Sequence, residues 1–261
     1  MWAKIIRAEE HLAAIKAEVA LYGELDPYDL IREFNDEGTE CTVRLVILEE
    51  PTIRLPLLIG DFAHNLRSAL DHLAAWLVAR NNGTVTEETT FPIRVDLVNK
   101  RGRPWSGPVT ITPPVSDEAM AVIEPLQPYH GGDTAARNKL ALLRSINNAD
   151  KHRNLLVASS FMADADVGVF LYGKRLAFQH VTGRFYDGAV FAVYQFTEPI
   201  PLSVRNHVQV KAYAHPLVTL SDISLPGRYP VVETLTAILD YVRDEVVRPI
   251  EQAEATRGPI L

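Results

Sequence analysis

The stretch Leu57–Arg80, LLIGDFAHNLRSALDHLAAWLVAR, constrains this chain more than any other. Its apolar residues recur every three or four positions with no proline between them, which is the pattern of a helix buried along one side. At about 100° per residue, Leu58, Phe62, Leu66, Ala69, Leu73 and Leu77 share that side. His64, Ser68 and Asp71 fall opposite, with Asp61 and His72 on one flank and Arg67 on the other. A solvated helical face ordinarily carries Lys and Glu. Short polar side chains suit a face that another element approaches closely. The expected helix runs from about Pro56 to Arg80 and is ended by Asn81-Asn82-Gly83.

The rest of the chain divides by periodicity. Residues 3–22 place Ile5, Ile6, Leu12, Ile15 and Val19 at helical spacing, and Gly23 is expected to stop that helix. Asp26-Pro27 opens a short helical turn through Phe34, and Asn35–Gly38 is a turn. Glu40–Glu49 is rich in β-branched residues and reads as a strand. Phe91-Pro92-Ile93 is a short extended piece, and 100–114 is a loop broken by Gly and Pro. Ser116 caps a short helix through Ile123, and Asp133 caps a helix running to about Asp150.

From Asn154 the period changes to two. Leu155–Met162, Val167–Tyr172, Arg175–Val181, Val190–Phe196 and His207–Ala214 are strand candidates, with hairpin turns at Gly173-Lys174 and Asp187-Gly188. They suggest an antiparallel meander. Pro230 starts a last helix with a stripe of Leu235, Ile238, Leu239, Val242 and Val246, which Pro249 ends or kinks. The fold expectation is α+β. N-terminal, central and C-terminal helices form a bundle, and a mostly antiparallel sheet is built from residues 154–221. The whole, 1–261, is one intertwined domain whose helical part is 1–153 and 228–255, and Cys41–Glu49 is a candidate to join the sheet.

Composition narrows the function classes. A chain of 261 residues, 47% hydrophobic, can bury a large core. The net charge of −7 argues against a surface that coats nucleic acid broadly. The single cysteine, Cys41, excludes an internal disulfide and a Cys-rich zinc site and favours a reducing cytoplasmic setting. No run of about 18 apolar residues is present, so no membrane span is expected. The basic-aromatic run Lys100–Trp105 is a solvated loop that could also touch phosphate, with Trp105 stacking on a base.

Chemistry concentrates on the central helix and on a second run, Asn147–Arg153. Leu140 and Leu143 begin a stripe that continues through Asn147 and Asp150, so Asp150 is expected to meet Arg67 or His64, with Asn147 bridging. The candidate site residues are His64, Arg67, Asp71, His72, Asn147, Asp150 and His152. No cofactor is expected. Three readings stay open. One is a buried polar network that fixes helix pairing in a non-catalytic binding or scaffold protein. Another is an active site, and the third a metal-dependent hydrolase using His and Asp ligands.

Arg67-Ser68-Ala69-Leu70-Asp71-His72 resembles the Arg-x(4–6)-His motif of HEPN-type ribonucleases, which are helical bundles. That resemblance implies metal-independent RNA cleavage in a homodimer. His72 would be the general acid–base and Arg67 would hold the scissile phosphate. The pair HNLRSALDH (64–72) and NNADKHR (147–153) also resembles a bacterial family of unassigned function, which implies no reaction.

Overall fold

The computed structural model describes residues 1–96, 98, 103, 105, 107–152, 157–212, 215–220 and 229–257, with the side chains of 151–152, 157–165, 184 and 215–217 outside that description. In chain order the elements are α1 (Trp2–Glu24), β1 (Tyr28–Phe34), β2 (Glu40–Ile47), α2 (Arg54–Arg80), α3 (Asp117–Ile123), a 3-10 run (Pro128–Arg137), α4 (Lys139–His152), β3 (Val157–Leu171), β4 (Lys174–Phe185) and β5 (Val190–Gln195). There follow α5 (Leu202–Arg205), β6 (Val208–Lys211), β7 (His215–Leu220), β8 (Tyr229–Pro230), α6 (Val231–Asp240), a π-helical turn (Tyr241–Val247) and α7 (Arg248–Ala255). The architecture is α+β with antiparallel sheets, as the periodicity indicated. No helix among the described residues is long and apolar enough to cross a membrane.

Two compact units interleave along the chain: Met1–Lys16 with Ile53–Leu156 and Leu220–Leu261, and Ala17–Thr52 with Val157–Thr219. The first is helical, with α2 at its centre. Phe62, Leu66, Ala69, Leu73 and Leu77 are buried as expected, but so are Ile59, Ala63, Leu70, Ala74 and Val78. More than half of the helix circumference is therefore core, which explains the run of small and aliphatic residues. Asn82 takes the left-handed conformation at its end (φ 58°), and the Gly83 N–H returns to the Val78 carbonyl.

The expected pairing of the first and last helices is present. Trp2 Nε1 donates to Glu251 Oε1 at 2.9 Å, and Arg243 reaches Glu9 at 3.2 Å. Arg80, on α2, holds the buried Glu254 at 2.9 Å, and Ser116 donates a short hydrogen bond to the same carboxylate while capping α3 through the Ala119 N–H. Pro249 does not end the helix. The turn before it widens to π geometry, with the Arg248 N–H bonded to the Arg243 carbonyl five residues back. This register accommodates a residue that lacks an N–H and crowds the carbonyl of the preceding turn. The cap of α4 is Asn138, whose side chain accepts from the Leu140 N–H at 2.8 Å; Asp133 lies within the 3-10 run.

The second unit is β-rich, and it corrects two expectations. Tyr28–Phe34 is a strand, not a helical turn. Its residues alternate in burial, and it pairs antiparallel with β2 from Tyr28↔Ile47 to Phe34↔Cys41. Pairing across the tight Asn35–Thr39 turn outweighs the helix-start signal of Asp26-Pro27. The strands also do not form a simple meander. One sheet has the order β1-β2-β5, and in the other β3 lies beside β4, β6 and β7. The turn at Asp187-Gly188 thus carries the chain from one sheet to the other. The β3–β4 hairpin turns at Tyr172-Gly173 (φ 47° and 78°), one residue before the expected place. Cys41, Val43 and Leu45 of β2 face a core shared with Val167, Val169, Phe191 and Tyr194.

Candidate functional site

The polar residues of α2 resolve into two groups. Arg67 and Asp71, one turn apart, form a forked ion pair, with Arg67 Nη2 to Asp71 Oδ1 at 2.7 Å and Nε to Oδ2 at 3.2 Å. Both continue to the backbone of Phe91. Arg67 Nη2 donates to its carbonyl at 2.8 Å, and its N–H donates to Asp71 Oδ1 at 3.0 Å. The Phe91 ring is buried at 1% exposure. The pair therefore clips an extended segment to the helix while the ring anchors it in the core.

The same segment is held along its whole length. In an extended chain alternate residues present their N–H and C=O to opposite edges. On the Phe91 edge, Arg144 of α4 donates to the Ile93 carbonyl at 3.1 Å. On the other edge, Gln127 donates to the Pro92 carbonyl at 3.1 Å and accepts from the Arg94 N–H at 2.9 Å. The Tyr129 N–H donates to the Arg94 carbonyl at 3.1 Å. Residues 91–94 thus behave as a strand whose neighbours are mostly side chains. This accounts for an Arg and an Asp on a face that sequence periodicity marks as polar.

The second group points to solvent. His64 and His72 are exposed on α2, as is Asp61, with the half-buried Ser68 between the two histidines. Positions five apart on a helix differ by about 140° in direction, and in keeping with this Arg67 turns to Phe91 while His72 faces solvent. Asn65, on the buried flank, donates to the Asp61 carbonyl at 2.8 Å and accepts from Lys4 at 3.3 Å.

The α4 residues do not join Arg67 or His64 as expected. Asp150 rests against Gly60 instead. A Cβ at Gly60 would lie 2.1 Å from Asp150 Oδ1, so glycine is what lets the carboxylate settle on the helix backbone. Asn147 is buried at 4% exposure, and its Oδ1 has no hydrogen-bond partner among the described residues. The His152 side chain lies outside the described residues, as do Lys100, Arg101, Gly102 and Pro104 of the basic-aromatic run. His130, His180 and His207 are surface residues. Among the described residues no three His, Cys, Asp or Glu side chains converge on one point.

What the sequence reading passed over is a cleft of about 740 Å³ on the outer side of the clamped segment. Ile93, Arg94, Asp96, Trp105, Val109 and Arg144 contribute to its lining. Its walls are fixed from behind. Arg94 donates to the Gly107 and Pro108 carbonyls at 2.6 and 3.2 Å, and its guanidinium lies 4.6 Å from the Trp105 ring centre. Glu124 accepts from the Val109 N–H at 2.9 Å. The sequence signal for it is the alternation of Phe91, Ile93 and Val95 with Pro92, Arg94 and Asp96, which marks an extended segment.

No family model, curated protein or solved structure matches the chain.

Proposed function

We propose that this is a non-catalytic binding protein in which Arg67 and Asp71 are structural. One observation carries the reading: both carboxylate oxygens of Asp71 and two nitrogens of the Arg67 guanidinium are engaged inside the fold, on each other and on the Phe91 backbone. A phosphate-binding Arg needs its paired donors facing the ligand. This one directs them at a carboxylate and a main-chain carbonyl. The single cysteine, buried, accords with a reducing cytoplasmic setting.

A second reading, a HEPN-type metal-independent ribonuclease acting on RNA as a homodimer, is favoured by the exposure of His72 and His64 on one face of α2. It requires Arg67 to leave Asp71. One experiment separates the two. Wild type, His72→Ala and Asp71→Ala proteins are incubated with structured and single-stranded RNA in chelator, and their thermal melts are recorded. The binding-protein reading expects no cleavage by any of them, and a melting temperature about 5 °C lower for Asp71→Ala. Metal-free cleavage by the wild type that His72→Ala abolishes would overturn it in favour of the nuclease.

A further inference from the structure

We infer that the cleft beside residues 93–96 is a binding site for a planar aromatic monoanion. The inference rests on reading the protein as a binding module and gives that module its ligand class. The volume, about 740 Å³, is that of a small-molecule site. Three features of the lining set the chemistry.

First, Trp105 offers a ring. It is 47% exposed, and Arg94, stacked at 4.6 Å and bonded to the loop carbonyls behind it, holds it in place. A large side chain held at the mouth of a cleft is suited to stacking on a flat partner. Second, Arg144 offers charge. Its Nη1 holds the Ile93 carbonyl at 3.1 Å, and its remaining N–H donors have no partner among the described residues. Arg94, the other lining cation, already holds two backbone carbonyls through Nη1 and Nη2, so Arg144 is the guanidinium with more donors left to meet an anionic group. Third, Asp96 is exposed at the rim with no partner among the described residues, and it can accept a hydrogen bond from a ligand N–H or O–H. Ile93 and Val109 supply apolar walls between these groups. The charged lining side chains, Arg94, Arg144 and Asp96, sum to one positive charge, which matches a monoanion.

The test uses two dyes built on one naphthylamine skeleton. 1-Anilinonaphthalene-8-sulfonate is an aromatic monoanion with a flat naphthalene ring, and N-phenyl-1-naphthylamine is its neutral counterpart. Calorimetric and fluorescence titration of the folded protein should give saturable one-to-one binding of the anion, with the neutral dye at least about tenfold weaker. Trp105→Ala and Arg144→Gln should each weaken the anion about tenfold. Gln at 144 keeps a donor for the Ile93 carbonyl, and Trp105 is half exposed, so both variants should melt within about 2 °C of wild type. Non-saturable uptake, no uptake, equal affinity for the two dyes, or undiminished affinity in Trp105→Ala would each overturn the inference. The readout is independent of RNA cleavage, so the site can fail while the binding-protein reading stands, and the converse.

Discussion

Two extended segments of this protein satisfy their backbones in opposite ways. Strand β2 lies between β1 and β5, and its N–H and C=O groups meet those of its neighbours from Glu40 onward, with one register shift against β5 between Val43 and Arg44. Among the described residues the segment 91–94 has one backbone neighbour, Tyr129. Its other partners are the side chains of Arg67, Asp71, Gln127 and Arg144. A sheet spreads its hydrogen bonds over many main-chain groups that no substitution but proline removes. A side-chain clamp concentrates them on a few residues, each of which a single substitution deletes. The first arrangement tolerates sequence change, whereas the second demands particular residues at particular places.

The largest effect should come from the anchor of the clamp. Phe91→Ala empties a fully buried site, and urea denaturation should show a loss of about 3–5 kcal/mol. A smaller loss would mean that the segment is held by its polar bonds more than by its ring. Asp71→Ala tests those bonds directly. It strips Arg67 of its partner and the Phe91 N–H of its acceptor. With the Asp71 side chain about a third exposed, the loss should be about 2 kcal/mol. Hydrogen exchange at the Phe91 amide should speed up in this variant, and an unchanged rate would mean that the Asp71 carboxylate does not hold the segment.

The β2 side of the comparison has a pH signature. Burial pushes the Cys41 thiol up from 9.0 to about 11, with the charge of Arg32 acting the other way. The folded state therefore keeps the neutral thiol after the unfolded chain has released its proton. The stability so contributed is whole below pH 9 and is lost as the pH rises toward 11, a change of about 2–3 kcal/mol. Cys41→Ala should flatten the fall in stability between pH 9 and 11 measured by urea titration. Tyr194, pushed up to about 12 by burial, continues the same trend above that window. The smallest effect belongs to the surface of β2. Arg44→Ala removes a 2.9 Å pair with Glu33 in which both side chains are well exposed, and the loss should stay below about 1 kcal/mol. A loss as large as that of Asp71→Ala would erase the distinction between the two segments.

Sequence periodicity served best where one period ran unbroken. The α2 core stripe, the Ser116 cap and the β2 strand were legible because each rests on local chemistry. Tyr28–Phe34 departs from its local signal because Asp26-Pro27 marks a helix start and pairing with β2 is not visible locally. The separation of β5 from β4 was hidden for the same reason, since a turn sequence does not say which sheet receives the next strand. At the candidate site, the face carrying Arg67 and Asp71 was legible but its partner was not. The expected partner was α4, through Asp150, whereas the observed one is the Phe91 backbone twenty residues along the chain. A main-chain carbonyl has no sequence signature, so an Arg–Asp pair made for one looks the same as a pair made for a substrate.

The widened turn at Tyr241–Val247 bears on how this chain can vary in length. A regular α-helix continued from Leu235, Ile238 and Val242 would bring positions 249 and 252–253 to the core side. The buried positions beyond the turn are instead Ile250 and Glu254. The turn holds about one residue more than an α-helix of the same rise, and so rotates everything after it by about 100°. Glu254 meets Arg80 and Ser116 because of that offset. A one-residue deletion inside the turn would leave Ile250 and Glu254 in phase with α6 while returning the Pro249 ring to a crowded carbonyl. The same deletion two turns earlier would swing the buried carboxylate out of its socket. The helix thus carries its own slack, and natural variation in its length should collect there.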